Sequence, residues 1–243
     1  VGTDVTGTTA RANQYGINIK TTANTVGGAT AADRNVVSGN TLDGFYIYTA
    51  TAAGNSVAGN YVGVAADGTT ALGNGRYGMY VHSGANVNTI GGSTAAHGNV
   101  VSGNGTGDAG ILVIGATTSD NILRFNKIGT NAAGTAAVPN NLHGIRIENA
   151  PNTQVNDNLI SGNDIHGIYV YNTGTTGTQI LRNTIGTNLA QTAAVPNGFD
   201  GIRLEGGSSS TVIGTAGNGN VIAGNTQDGI TINDNNNTTI QGN

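Results

Sequence analysis

Residues 143–171 decide the reading of the fold: His143-Gly-Ile-Arg-Ile-Glu148, then Thr153-Gln-Val-Asn-Asp-Asn-Leu-Ile-Ser-Gly-Asn163, then His166-Gly-Ile-Tyr-Val-Tyr171. Gly, apolar, any, apolar opens this stretch and recurs 23 residues later. Between the two lie short runs with alternating apolar positions, the period of a β-strand. Gly and Asn, which tolerate the backbone of tight bends, separate the runs. The same anchor occurs eight times in the chain, at Gly16, Gly44, Gly78, Gly110, Gly144, Gly167, Gly201 and Gly229. A second anchor, apolar-x-Gly-Asn, reads Val37-Ser-Gly-Asn40, Val57-Ala-Gly-Asn60, Val101-Ser-Gly-Asn104, Ile160-Ser-Gly-Asn163, Ile222-Ala-Gly-Asn225 and Ile240-Gln-Gly-Asn243.

Units of roughly thirty residues open at Asn24, Asn55, Asn88, Asn121, Thr153, Thr178, Thr211 and Thr238. Two flavours alternate, so the full period is about sixty residues: one carries Asn-Val-Val-Ser-Gly-Asn, the other Ile-Gly-Thr-Asn followed by Ala-Ala-Val-Pro-Asn. A strand this short cannot bury its apolar face alone, but it can when stacked in register on the next unit. The pattern predicts an all-β parallel solenoid of about eight coils, each with three short strands and three bends, as one domain over residues 1–243. Because residues 238–243 open a coil that residues 1–23 resemble the remainder of, an uncapped segment of a longer array is expected.

In such a stack, equivalent positions lie about 4.8 Å apart and form columns. The glycine anchor column is read as a bend with left-handed backbone. Two columns beyond it point inward: Ile17, Phe45, Met79, Ile111, Ile145, Ile168, Ile202, Ile230, and Ile19, Ile47, Val81, Val113, Ile147, Val170, Leu204, Ile232. Asn40, Asn60, Asn104, Asn126, Asn163, Asn183, Asn225 and Asn243 are read as one structural amide ladder. The outward columns differ from the Thr/Asn/Ala/Gly/Ser background. They hold Tyr46, Tyr80, Arg146, Tyr169 and Arg203, then Tyr48, His82, Glu148, Tyr171 and Glu205, and before the glycine Tyr15, Asp43, Tyr77, His143, His166, Asp200 and Asp228. Seven of the eight tyrosines and three of the four histidines fall here, so one face is chemically distinct.

Composition removes several classes. Of 243 residues, 41 are Gly and 9 % are charged, with net charge −4 and no Cys. A chain this poor in cations does not track nucleic-acid phosphates. Scarce Glu, Lys and Leu exclude a helical bundle, and no G-X-Y period exists to suggest collagen. No apolar run reaches a membrane span.

Gly-Ile-x-Ile followed by Asn-x-Ile-x-Gly-Asn resembles the repeat of right-handed parallel β-helix proteins, the pectate-lyase-like superfamily, and most of all bacterial surface repeat proteins. The likeness covers the whole chain. It implies the handedness of the solenoid and is specific for fold rather than function. Catalytic members imply Gly-His-Gly with Arg-x-Lys, Asp-Pro-His, or clustered acids holding Ca²⁺; none stands in this sequence.

Three readings compete for the distinct face. Cross-strand pairing would tie Arg146, Glu148, Arg203 and Glu205 around Tyr169 and Tyr171. A contact surface for carbohydrate or another copy would use Tyr46, Tyr48, Tyr80, His82, Arg146, Glu148, Tyr169, Tyr171, Arg203 and Glu205. An acid–base or metal cluster would use His143, His166, Asp200 and Asp228. Asn104, Asn236 and Asn237 begin Asn-x-Thr sequons. The leading expectation is a non-enzymatic segment of an extracellular or cell-surface fibre, stalk or adhesin that self-associates and needs no cofactor. The alternative is a polysaccharide-binding or polysaccharide-modifying β-helix protein.

Overall fold

The computed structural model describes residues 1–105 and 107–243 and is built of three parallel sheets of eight, eight and seven strands. The first sheet contains Ile17–Ile19, Phe45–Tyr48, Met79–His82, Ala109–Ile114, His143–Glu148, Ile168–Tyr171, Ile202–Glu205 and Ile230–Ile232. The second runs from Thr25–Gly27 to Thr239–Ile240, and the third from Val36–Val37 to Val221–Ile222. Every strand pairs with its equivalent one coil away, giving the stacked solenoid that the repeat predicts. The only helical element among the described residues is a 3-10 turn at Ala95–His97. No helix there is long and apolar enough to cross a membrane.

The register matches the sequence columns residue for residue. Ile17 pairs with Phe45, Phe45 with Met79, Met79 with Ile111, Ile111 with Ile145, and onward through Ile168 and Ile202 to Ile230. Their side chains fill one interior. Phe45, Ile47, Met79, Ile145 and Ile147 of the first sheet meet Val57, Ile90 and Leu123 of the second and Val62, Ile128 and Ile160 of the third, all fully buried. Burial of each such side chain contributes roughly 1.5–3 kcal/mol.

The anchor glycines correct the reading made from sequence: none of the eight has a positive φ. At seven of them, all but Gly229, the coils approach too closely for a side chain. A Cβ at Gly144 would lie 2.7 Å from the Gly167 carbonyl oxygen, 2.7 Å from Asn163 Nδ2 and 3.0 Å from Ile160. Left-handed backbone occurs at other bends, as at Gly129 (φ 85°), where a Cβ would also strike Asn163 Oδ1.

The single Asn ladder also resolves differently, because apolar-x-Gly-Asn serves two bends. One ladder joins Asn13, Asn40, Asn74, Asn104, Asn140, Asn163, Asn197 and Asn225. A second joins Asn35, Asn60, Asn99, Asn126, Asn158, Asn183, Asn220 and Asn243. A third, Asn24–Asn55–Asn88–Asn121, gives way to Thr153, Thr178 and Thr211. In each Asn ladder the amide nitrogen donates to the next coil's amide oxygen, which satisfies buried polar groups that would otherwise be costly.

Alternate coils extend a hairpin from the third sheet, closed by the bridges Thr3–Ala10, Val64–Ala71, Thr130–Ala137 and Thr187–Ala194. In the plain coils between them, a buried serine takes this place. Ser102 Oγ donates to Thr130 O (2.7 Å) and accepts from Gly129 N (3.1 Å); Ser38 and Ser161 do the same for the neighbouring hairpins. Val64, Val100 and Val138, with Tyr61 and Ala132, make a small second core beneath the hairpins.

Candidate functional site

The outward face of the first sheet gathers the columns singled out in the sequence. Parallel in-register pairing puts side chains of neighbouring coils within contact distance, so a column of rings becomes a stack. In coils one to three the face is aromatic. Tyr15 and Tyr46 stack with ring centroids 4.4 Å apart, and Tyr80 and His82 stack at 4.1 Å. Tyr46 also touches Tyr48 at 4.5 Å and His82 at 4.9 Å, while Tyr77 lies against Tyr80 at 4.9 Å. Arg76 holds buried Asp43 through two bonds, Nε to Oδ1 at 2.9 Å and Nη2 to Oδ2 at 2.6 Å. Its guanidinium sits 5.1 Å from both the Tyr77 and Tyr80 centroids. Lys20 lies over Tyr48 at 5.2 Å.

Coils five to eight are mixed. His143 and His166 stack at 5.1 Å with an interplanar angle of 4°, and Tyr169 lies 4.7 Å from His143. Phe199 meets His166 edge-on at 5.9 Å. Arg146 is held by Asp108 (2.8 Å) and Glu148 (2.7 Å), and Arg203 by Glu205 (2.9 Å) and Asp200 (3.3 Å). Tyr169 Oη donates to Glu205 Oε2 at 3.1 Å. Between the two zones, coil four contributes Leu112, which pairs in register with Tyr80 on one side and Arg146 on the other.

Burial sets the protonation of the rings. It pushes the His143 imidazole down to about 3, with His166 and Arg146 adding to the effect. His166 and His82 are lowered for the same first reason. Burial raises the Tyr169 phenol to about 12, with Glu205 adding to it. The His166 tautomer follows from one bond: its Nδ1 accepts from the Asp200 backbone N–H at 3.2 Å, so the proton sits on Nε2. The 3.5 Å approach of Asp200 Oδ2 to that nitrogen is therefore no ion pair while the ring is neutral. Hydrogen bonding to Arg203 holds Glu205 below the usual carboxylate range, and hydrogen bonding to Glu205 raises Arg203.

The structure thus brings the predicted contact residues onto one face but not all of the predicted cluster to one point. His143, His166 and buried Asp200 follow one another along the stack; Asp228 is exposed and donates only its backbone N–H to Asp200 Oδ1, at 3.2 Å. Among the described residues no three His, Asp or Glu side chains converge as a metal would need. The sequence reading missed Arg76, Asp108 and Phe199. All three stand two residues before an anchor glycine, so extending the column reading by one position would have found them. Asn104 is buried and its Nδ2 donates to Val62 O and Asn140 Oδ1, which occupies the atom that a glycan would need. The third residue of its sequon, Thr106, lies outside the described residues. Asn236 and Asn237 are exposed.

No family model matches the chain, and no curated protein matches it in sequence. Solved structures do match in shape. A mutant of the periplasmic alginate epimerase AlgG aligns at 16 % identity with a TM-score of 0.55, over 93 % of this chain and 48 % of that one. AlgG itself aligns at 15 % and 0.53, over 94 % and 48 %. The A-module of Azotobacter vinelandii mannuronan C-5 epimerase AlgE4 aligns at 20 % and 0.46, over 93 % and 56 %. The chain spans about half the length of the structures it matches. At this identity the likeness shows the fold, a right-handed parallel β-helix. The AlgG structures are titled as those of an alginate epimerase.

Proposed function

We propose that this chain is a polysaccharide-binding β-helix protein whose contact surface is the outward face of the first sheet. The observation that carries the reading is the concentration of seven of the eight tyrosines, three of the four histidines and three ion-paired arginines on that face. Part-exposed tyrosine rings offer apolar area and hydroxyls to sugars at low entropy cost, and planar guanidinium and carboxylate groups pair with neighbouring hydroxyls. The rings are held in stacks and the charges in pairs before any ligand arrives, so little ordering remains to oppose binding.

Binding fits the face better than bond chemistry does. Its arginines are engaged by acids, and Glu205 is held below the ordinary carboxylate range, the wrong direction for a general acid. The reading places the protein outside the cytoplasm, where such polymers lie. Affinity electrophoresis through gels containing soluble polysaccharides tests it. Retarded migration in at least one gel is expected, together with no new reducing ends or unsaturated product after incubation. Unretarded migration in every gel removes the proposal, and product formation converts it into an enzymatic one.

A further inference from the structure

Taking that surface as a polysaccharide site, we infer that its ligand is an uncharged glycan and not a polyuronate. Charge complementarity selects between the two. Four cations face outward from the first sheet and its flanking bends: Lys20, Arg76, Arg146 and Arg203. Six acids stand beside them: Asp43, Asp108, Glu148, Asp200, Glu205 and Asp228. Six against four, with Asp164 and Asp234 also exposed in the adjoining bends, leaves the face formally negative.

The pairing matters more than the count. Arg76 spends two donors on Asp43. Arg146 gives one terminal nitrogen to Asp108 and the other to Glu148. Arg203 gives Nε and Nη2 to Glu205 and Nη1 to Asp200. Among the described residues, Lys20 is the only cation of this face without a carboxylate partner, and it sits at the edge of the stack over Tyr48. The histidines add no charge near neutrality, because burial keeps them unprotonated. A polymer carrying a carboxylate on every sugar would therefore meet a surface of its own sign. Every guanidinium it could reach is already neutralised by a protein carboxylate.

An uncharged glycan meets none of this. Its hydroxyls donate to the outer oxygens of Glu148, Glu205 and Asp108, while its C–H groups rest on the part-exposed rings of Tyr46, Tyr80 and Tyr169. Each ion pair then acts as a fixed planar hydrogen-bonding plate rather than as a free charge. The protein shares its fold with proteins named for alginate, a polyuronate, yet carries the charge pattern for a neutral polymer.

The test measures retardation of the intact chain in gels of hydroxyethylcellulose, galactomannan, sodium alginate and polygalacturonate, at 10 mM and 150 mM NaCl (about fourfold different in screening length). Retention by an uncharged polymer that changes less than twofold with salt, with none by the two polyuronates, is expected. The double variant Glu148→Gln/Glu205→Gln frees guanidinium donors and should gain at least tenfold in polyuronate retention at low salt. Polyuronate binding by the unaltered chain, lost in Tyr46→Ala, would overturn this inference while leaving the polysaccharide site standing. No retention in any of the four gels would overturn both.

Discussion

Asn126→Ala should be among the most damaging single changes in the molecule. Asn126 is fully buried in the middle of the second amide ladder. Its Oδ1 accepts from Asn99 N at 3.1 Å and from Asn99 Nδ2 at 2.9 Å. Its Nδ2 donates to Ile90 O at 2.9 Å and to Asn158 Oδ1 at 3.0 Å. Truncation leaves two buried N–H donors of Asn99 without an acceptor. Asn158 Oδ1 keeps a partner in the Asn126 backbone N–H, at 2.9 Å. At about 1–3 kcal/mol for each orphaned donor, the loss is about 4 kcal/mol. For a chain of this size that lowers Tm by about 8–16 °C. Thermal unfolding followed by circular dichroism measures it, with Asn13→Ala as the control. Asn13 makes the same kind of bonds to Asn40 Oδ1, both at 3.3 Å, but at an exposed end of its ladder where water replaces them. A fall of less than about 3 °C for Asn126→Ala, or equal falls for the two variants, would refute the claim that the ladders hold the coils together.

Thr211→Val should raise stability by about 1 kcal/mol, because Thr211 Oγ1 is buried without a partner and valine keeps the shape; a lower Tm would show that the hydroxyl is bonded after all. Tyr46→Ala should weaken polysaccharide retention about tenfold, the worth of one well-placed aromatic anchor, without moving Tm by more than a few degrees, since the ring lies outside the core. Acid should destabilise the fold through His143. Its imidazole titrates near 6.5 in the unfolded chain and about 3 in the folded one, so the unfolded state takes up the proton first. The stabilisation is complete above pH 6.5 and declines as pH falls toward 3; His143→Gln should flatten that slope, and an unchanged slope would locate it elsewhere.

The coil architecture was open to sequence reading because one physical requirement repeats at a fixed spacing. Ile145 and Ile168 must both point inward, and nothing but in-register stacking lets them, so their spacing reveals their pairing. The glycine column was found for the wrong reason. Gly144 reports a close approach between coils, which a chain of letters cannot distinguish from a left-handed bend. The amide ladders were merged because Val57-Ala-Gly-Asn60 and Val101-Ser-Gly-Asn104 share a motif while turning different corners. On the candidate face, Tyr169 and Arg203 were legible as outward columns. The partners that neutralise Arg146 and Arg76 were only half legible, since Asp108 lies 38 residues from Arg146 and meets it only through the winding of the chain.

The alternation of hairpin and plain coils fixes how such a molecule can change in length. Ser102 of a plain coil is tied to Gly129 and Thr130 of the hairpin coil above it, and Gly68 of one hairpin accepts from Ala132 of the next. Excising a single coil would set like upon like and strand a serine hydroxyl with nothing to hold. Excising a hairpin coil together with its plain neighbour would rejoin the serine and hairpin ties. The natural quantum of growth or loss is therefore the doublet, and a gene encoding this protein can be lengthened or shortened by whole doublets while the alternation of floors is kept.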